Sequence, residues 1–174
     1  MTQVGAAIDA RPTLRGLRAW WRGRTTLDEI APGLFMGGFP HARGAIHLAL
    51  EVLGIDHVVT TTYKRPVLAA GTTSVHIPFL DLDLPLDLEP ILHAARDVVR
   101  RLREGQRIYV HCGHGLDRSG LVVALALREM LPGRTGVEIL DLIRARRGSE
   151  ALHNRRFARF VRALAPIHPG SASV

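Results

Sequence analysis

The sequence predicts an α/β domain with a central, mainly parallel sheet of four to five strands flanked by helices. Short apolar or β-branched stretches alternate along the chain with longer segments whose apolar residues recur at helical spacing. This alternation is typical of parallel sheets, in which a helix makes the crossover between neighbouring strands. The length of 174 residues is about that of one domain.

Four stretches are predicted as strands because they are short and rich in apolar or β-branched residues. They cover residues 34–36, 55–62, 74–77 and 108–110. The first of them runs into Gly37 and Gly38, a pair that predicts a tight turn. The folded domain is predicted to begin near Leu27.

Five segments are predicted as helices from the spacing of their apolar residues. They cover residues 41–53, 88–103, 119–130, 136–147 and 154–164. The third is almost wholly apolar, which predicts a buried helix. The fourth follows Thr135, a predicted N-cap with Glu138 three residues on. Residues 80–90, which carry three aspartates, are predicted to form a loop.

Residues 27–165 are predicted to form this domain, residues 1–26 a basic N-terminal arm and residues 166–174 a tail. Residues 14–24 fit a short basic amphipathic helix. For this helix, packing of Trp20 and Trp21 on the domain is preferred over contact with a membrane surface. Neither a long uninterrupted apolar stretch nor a secretory pattern is present, so a cytoplasmic location is expected.

The chain is basic, with a formal net charge of +7, and Lys64 is the only lysine among its 23 basic residues. Such a balance favours polyanionic partners: nucleic acid, an acidic membrane or a phosphorylated substrate. Nucleic acid is not expected as a partner, because aromatic residues make up 5% of the chain and no nucleic-acid-binding motif is present.

The glycine-dense turn after the predicted strand 108–110 carries the clearest chemistry. Cys112, the chain's single cysteine, and Arg118 bracket five residues that include Gly113 and Gly115. A turn of this kind points its amide N–H groups inward, and the helix that follows adds its positive dipole end. The same field favours a thiolate over a thiol, while an arginine grips two oxygens of a phosphoryl group. The loop therefore predicts phosphoryl transfer through a cysteinyl-phosphate.

The sequence His111-Cys112, five residues, then Arg118-Ser119-Gly120 resembles the signature loop of the protein tyrosine phosphatase superfamily. The short chain and short loops most resemble its dual-specificity branch, which implies a dual-specificity phosphatase-like fold. The resemblance extends to residues 31–38, 77–81, 143–148 and 154–157.

The resemblance implies a role for each loop residue. Cys112 would attack phosphorus, Arg118 and the loop amides would hold the equatorial oxygens, and Ser119 would stabilise the departing thiolate. His111 would orient the loop. A phosphate or sulfate ion would bind in the loop, and neither a metal nor another cofactor is expected. The substrate-binding set implied in this way is Gly113, His114, Gly115, Leu116, Asp117 and Arg118.

The resemblance also implies a general acid, an aspartate on a loop that precedes Cys112. Asp81 fits the family pattern Pro-Phe-x-Asp best, and Asp83 is the alternative. Asp87 is interpreted as an N-cap of the following helix.

Asp117 departs from the commonest dual-specificity loop. Two interpretations stay open: it contacts substrate or water, and so is a further candidate acid, or it forms a salt bridge with an arginine outside the site. Arg144, Arg146 and Arg147 form a second open case. Arg147 is the candidate among them for recruiting anionic substrate, and a solvated helix face is the alternative.

The predicted function is hydrolysis of phosphomonoesters, with phosphotyrosine and then phosphoserine or phosphothreonine proteins as substrates. A phosphoinositide or small-molecule phosphoester is the alternative substrate. A catalytically idle module that binds phosphorylated partners is the less favoured alternative, because Cys112, Arg118 and Asp81 are all present.

Overall fold

A five-stranded sheet forms the centre of the protein in the computed structural model, which describes residues 27–167. In chain order its strands are β1 (Leu27–Ala31), β2 (Leu34–Gly37), β3 (His57–Thr60), β4 (Thr73–His76) and β5 (Ile108–His111). They lie in the order β1-β2-β5-β3-β4, with β1 antiparallel to β2 and every other pair parallel. The predicted mainly parallel α/β sheet is thus confirmed.

The helices of the described region are α1 (Ala45–Leu53), α2 (Glu89–Arg103), α3 (Arg118–Met130), α4 (Gly136–Arg147) and α5 (Arg155–Arg162). All five predicted helices are present. The capping box predicted at the start of α4 is also present, since Thr135 and Glu138 bond each other's backbone N–H groups. None of the helices within residues 27–167 is long and apolar enough to cross a bilayer. The predicted N-terminal arm, with its candidate helix, and residues 168–174 of the tail lie outside the described residues.

Two features of the fold differ from the prediction. Strand β1 was not predicted, because the acidic residues Asp28 and Glu29 interrupt the apolar pattern that indicates a strand. Asp28 is nevertheless buried, at 8% exposure, since it pairs with Arg147 of α4. Helix α1 begins four residues later than predicted, because Gly44 N–H closes a turn on the His41 carbonyl oxygen and Arg43 has a left-handed backbone, φ +60°.

The two faces of the sheet bury separate apolar clusters. The larger cluster contains residues of α2, α3, α4 and α5, and the smaller contains residues of α1. Helix α3 lies in the larger cluster and is buried from Ser119 to Leu127, as predicted. Strand β5 is buried at all four positions. The segment between β5 and α3 is therefore held at both ends by the core.

Candidate active site

The loop between β5 and α3, residues 112–117, is called here the Cys112 loop. It packs directly on the backbone at the end of β2. Gly115 has φ +72°, and a Cβ added there would lie 2.0 Å from the carbonyl carbon of Gly37. Cys112 N–H donates to the Gly37 carbonyl oxygen, and Phe39 N–H donates to that of Gly113. A residue with a side chain at position 115 would force the two segments apart.

The sulfur of Cys112 is buried but lies among polar groups. Gly115 N–H donates to Sγ over 3.1 Å, and Ser119 Oγ lies 3.4 Å from it. Ser119 is in the first turn of α3, so the positive end of the helix dipole also acts on the sulfur. An amide N–H, a hydroxyl group and the first turn of a helix thus meet at Sγ.

The guanidinium of Arg118 lies between the Cys112 loop and the loop of residues 77–88, called here the acid loop. Its Nη1 donates to the Phe79 carbonyl oxygen over 3.3 Å, and its Nε lies 3.3 Å from Asp81 Oδ2. Both Arg118 Nε and Asp81 Oδ1 are buried and have no hydrogen-bond partner among residues 27–167. Buried polar atoms without a hydrogen bond are rare in folded proteins, and a bound ligand is one explanation for them.

The three aspartates of the acid loop have different partners. Asp81 pairs with Arg118, whereas Asp83 is exposed and forms an ion pair with Arg156 of α5. The Oδ1 atom of Asp87 accepts from Glu89 N–H in the first turn of α2. Asp81 is thus the one of the three that contacts an Arg118 atom, and its role as general acid remains a prediction.

The model of a known protein family matches residues 25–167: the DSP-PTPase phosphatase domain of the Swiss Army Knife proteins, PTP-SAK. The chain belongs to this family. The resemblance to the dual-specificity branch of the protein tyrosine phosphatases is therefore confirmed. No curated protein matches the chain.

The PTP-SAK domain has the fold of solved dual-specificity phosphatases. A mouse putative dual specificity phosphatase, complexed with zinc tungstate, is 21% identical and has a TM-score of 0.65, covering 91% of this chain and 90% of its own. The human tyrosine phosphatase-like serine/threonine/tyrosine-interacting protein is 20% identical, with a TM-score of 0.66 over 78% and 92%. OH1 from the Orf virus, a tyrosine phosphatase described as having triple substrate specificity, is 20% identical, with a TM-score of 0.62 over 84% and 94%.

Asn154 connects the acid loop of the PTP-SAK domain to the Cys112 loop. Its Nδ2 donates to the Asp81 carbonyl oxygen over 3.4 Å, its backbone N–H donates to Asp117 Oδ1 over 2.7 Å, and its own Oδ1 caps α5. Asn154 belongs to a segment that carries the family resemblance, residues 154–157, but no role was predicted for it. The signal that was available is its position as an N-cap residue directly before a helix.

The carboxylate of Asp117 pairs with a histidine rather than with an arginine of the described residues. Its carboxylate is buried and binds Asn154 N–H through Oδ1 and His153 Nδ1, 2.8 Å away, through Oδ2. The alternative of a salt bridge with an arginine is therefore corrected to a pair with a histidine, and contact of Asp117 with substrate or water stays a prediction. Burial raises the pKa of the Asp117 carboxyl above its usual value.

His111 is buried at the end of β5 and fixes the entry to the Cys112 loop. Its Nε2 lies 3.0 Å from Thr60 Oγ1, and its carbonyl oxygen accepts hydrogen bonds from Thr61 N–H and Oγ1. The imidazole stacks on the ring of Tyr109. Burial lowers the pKa of His111 to about 4, so the ring is neutral at neutral pH.

Arg147 supports the Cys112 loop. Its Nε donates to the Gly115 carbonyl oxygen over 2.9 Å and its Nη2 to that of His114 over 3.3 Å. Its Nη1 pairs with Asp28, and its side chain is 9% exposed. The solvated helix face considered for Arg147 is therefore wrong, and its donors are engaged by the protein's own oxygens rather than directed to a substrate.

Arg144 and Arg146, the other members of the predicted cluster, differ from Arg147. Arg144 donates to the carbonyl oxygens of Ala151 and Leu152, and Arg146 is exposed. The structure thus places three neighbouring arginines in three different environments.

Residues 27–167 contain no group of three or more His, Cys, Asp or Glu side chains arranged to hold a metal ion.

Proposed function

We propose that this PTP-SAK domain hydrolyses phosphomonoesters on proteins, phosphotyrosine first and phosphoserine or phosphothreonine as well, through a cysteinyl-phosphate. The observation that carries the proposal is the arrangement around Cys112. Its sulfur accepts the Gly115 N–H at 3.1 Å, and Arg118, six residues on, lies 3.3 Å from the carboxylate of Asp81. The residues proposed as nucleophile, anion-binding cation and proton donor thus lie on neighbouring segments, which supports the proposal.

In the first step, the thiolate of Cys112 attacks phosphorus and the bond from phosphorus to the leaving oxygen breaks. Arg118 and the amides of the Cys112 loop bind the equatorial oxygens, where negative charge builds up. Asp81 in its acid form gives a proton to the leaving oxygen. The products are a free phenol or alcohol and phosphate bound covalently to sulfur.

In the second step, water attacks phosphorus, the sulfur–phosphorus bond breaks and inorganic phosphate leaves. The carboxylate of Asp81 accepts a proton from the water, which returns it to the acid form. Ser119 Oγ, 3.4 Å from Sγ, donates to the sulfur as it regains its charge. The enzyme ends the cycle in its starting state.

The test is turnover of p-nitrophenyl phosphate in the presence of EDTA, followed by a panel of phosphopeptides and phosphoinositides. Turnover that persists in EDTA and is abolished in Cys112→Ser supports the proposal, as does a preference for phosphopeptides. Wild-type rates in Cys112→Ser would exclude the cysteinyl-phosphate route. A preference for phosphoinositides would mean that the substrates are lipids rather than proteins. Tight phosphopeptide binding without turnover would favour a catalytically idle module that binds phosphorylated partners.

Quench of the reaction in acid tests the intermediate directly. Ser119→Ala is expected to slow the second step more than the first, so that labelled phosphate accumulates on the protein. Absence of acid-stable label on both the wild type and Ser119→Ala, while turnover continues, would contradict the mechanism.

A further inference from the structure

A cleft of about 510 Å³ lies where the end of α4, residues 152–156 and one face of α5 meet. It is called here the α5 cleft. Five of its lining residues are arginines: Arg144, Arg155, Arg156, Arg159 and Arg162. None of its lining residues is acidic. A concave surface with charge of one sign concentrates its electrostatic field and attracts the opposite charge.

Three of these arginines are available to a ligand. Arg155, Arg159 and Arg162 are exposed, and none of them has an ion-pair partner within the described chain. The buried face of α5 is formed by Phe157, Ala158 and Val161. Because that face packs into the core, the arginines are held on the opposite face, at the cleft.

One arginine of the α5 cleft pairs with a carboxylate that lies outside the cleft lining. Arg156 pairs with Asp83, which stands on the acid loop two residues after Asp81. An acidic side chain of a neighbouring segment thus reaches one arginine of α5.

The α5 cleft is also contiguous with the candidate active site. His153, one of its lining residues, binds Asp117 of the Cys112 loop. The next residue, Asn154, binds the backbone of Asp81. A chain that occupies the catalytic site and continues along the acid loop therefore reaches the cleft.

We propose that the α5 cleft binds an acidic segment of the phosphorylated protein substrate, one that carries carboxylates or further phosphates beside the scissile phosphate. This inference rests on the proposed function and adds the sequence preference of the substrate. A membrane surface is a poorer fit. Helices that bind membranes insert large apolar side chains, and none of the large exposed apolar residues of the described chain lies on α5.

The size of the effect follows from exposed ion pairs, each of which contributes about 0.2–1 kcal/mol. Three such contacts favour an acidic substrate about threefold to a hundredfold, mostly through KM. The preference weakens as salt rises from about 0.05 M to about 0.5 M, because the charges are screened.

The experiment compares kcat/KM for two phosphotyrosine peptides, one flanked on both sides by glutamate and one by glutamine. The wild type is expected to prefer the glutamate peptide. The preference should fall to that of the one remaining contact, about 1.4-fold to fivefold, in the double variant Arg159→Ala with Arg162→Ala, with kcat unchanged. The matched control is Arg103→Ala with Arg146→Ala, which removes the same charge from exposed positions outside the cleft. It should keep the preference.

Two outcomes overturn the inference. The first is a wild type whose kcat/KM is the same for the two peptides. The second is an equal loss of preference in the control pair, which would indicate attraction by net charge alone. Binding of vesicles rich in phosphatidylserine that is lost in Arg159→Ala with Arg162→Ala, without any peptide preference, would assign the cleft to a membrane instead. Urea unfolding of each variant separates loss of docking from loss of fold.

Binding to Cys112→Ser keeps the inference distinct from the proposed function. If the protein turns over neither peptide but Cys112→Ser binds the glutamate peptide more tightly by fluorescence anisotropy, the α5 cleft stands and the catalytic proposal fails. If turnover is normal and both peptides bind equally, the catalytic proposal stands and the cleft fails.

Discussion

Arg147 and Asp28 form an ion pair 2.7 Å long that ties the end of α4 to β1. The same guanidinium binds the carbonyl oxygens of His114 and Gly115. In a trans peptide the N–H points opposite to the C=O, so these contacts direct the N–H groups of Gly115 and Leu116 to the other side of the loop. The Gly115 N–H is the one that meets Cys112 Sγ. An arginine outside the loop thus sets the direction of the loop's amides.

Replacing Arg147 should therefore affect both stability and catalysis. Arg147→Met removes one ion-pair partner of the buried Asp28 carboxylate, which lowers the free energy of unfolding by at most about 3–5 kcal/mol. It also releases the loop carbonyls, so kcat should fall. Urea unfolding and turnover of p-nitrophenyl phosphate measure the two effects.

The double variant Asp28→Asn with Arg147→Met separates the effect of Arg147 on stability from its effect on catalysis. Stability should recover in part, because the carboxylate that lost its contact with Arg147 no longer carries a charge, while kcat should stay low. Arg146→Met, at the neighbouring exposed position, should change neither quantity. Full recovery of kcat in the double variant would show that Arg147 serves stability alone.

Gly115 is the position at which the Cys112 loop tolerates least change. Gly115→Ala places a Cβ against the backbone of Gly37 in a residue with φ +72°. Steric overlap and the left-handed backbone together should cost about 2–5 kcal/mol, with a large loss of kcat. The matched control is Gly71→Ala, since Gly71 has φ +88° with nothing near its added Cβ. It should cost about 1 kcal/mol and leave kcat unchanged. Equal losses in the two variants would contradict close packing at Gly115.

The fold was predictable where its signal is local. The apolar run before His111 and the buried helix after Arg118 are each visible within a few residues, and so is the loop between them that carries Cys112. Strand β1 was not predictable in the same way. Its buried Asp28 pairs with Arg147, which lies far along the chain.

The same limit applies to the candidate site. Cys112, Arg118 and Ser119 belong to one continuous segment, so their proximity follows from the sequence. The partners of Asp117 and the bond from Asn154 to Asp81 join three separate segments. Such contacts depend on how α5 packs beside the loops. The spacing of residues in the sequence does not predict that packing.

The general acid is tested by comparing Asp81→Asn with Asp83→Asn. Asp81→Asn should lower kcat by about 10²–10⁴-fold on phenyl phosphate, whose leaving group needs a proton, and by much less on p-nitrophenyl phosphate. Asp83→Asn breaks the ion pair with Arg156, which is exposed, and should keep kcat near that of the wild type. Asp87→Asn is a second control on the same loop. A large leaving-group dependence in the Asp83 variant, with none in the Asp81 variant, would reverse the assignment.

Stability should fall in mild acid because two buried histidines resist protonation. Burial lowers the pKa of both His57 and His111 to about 4, whereas an unfolded histidine has a pKa of about 6.5. Between these values the unfolded chain binds more protons than the folded one, so the free energy of unfolding decreases as pH falls through this window. The loss between about pH 7 and pH 5 should approach 2 kcal/mol for each histidine.

Urea unfolding at the two pH values measures this loss. His57→Asn removes one of the two titrating groups and should reduce the difference between pH 7 and pH 5 by about half, whatever it does to stability at pH 7. His93→Asn, on the exposed face of α2, should leave the difference unchanged. An undiminished pH dependence in His57→Asn would mean that His57 is protonated equally in the folded and unfolded chain, contrary to its buried position beside Val58 in β3.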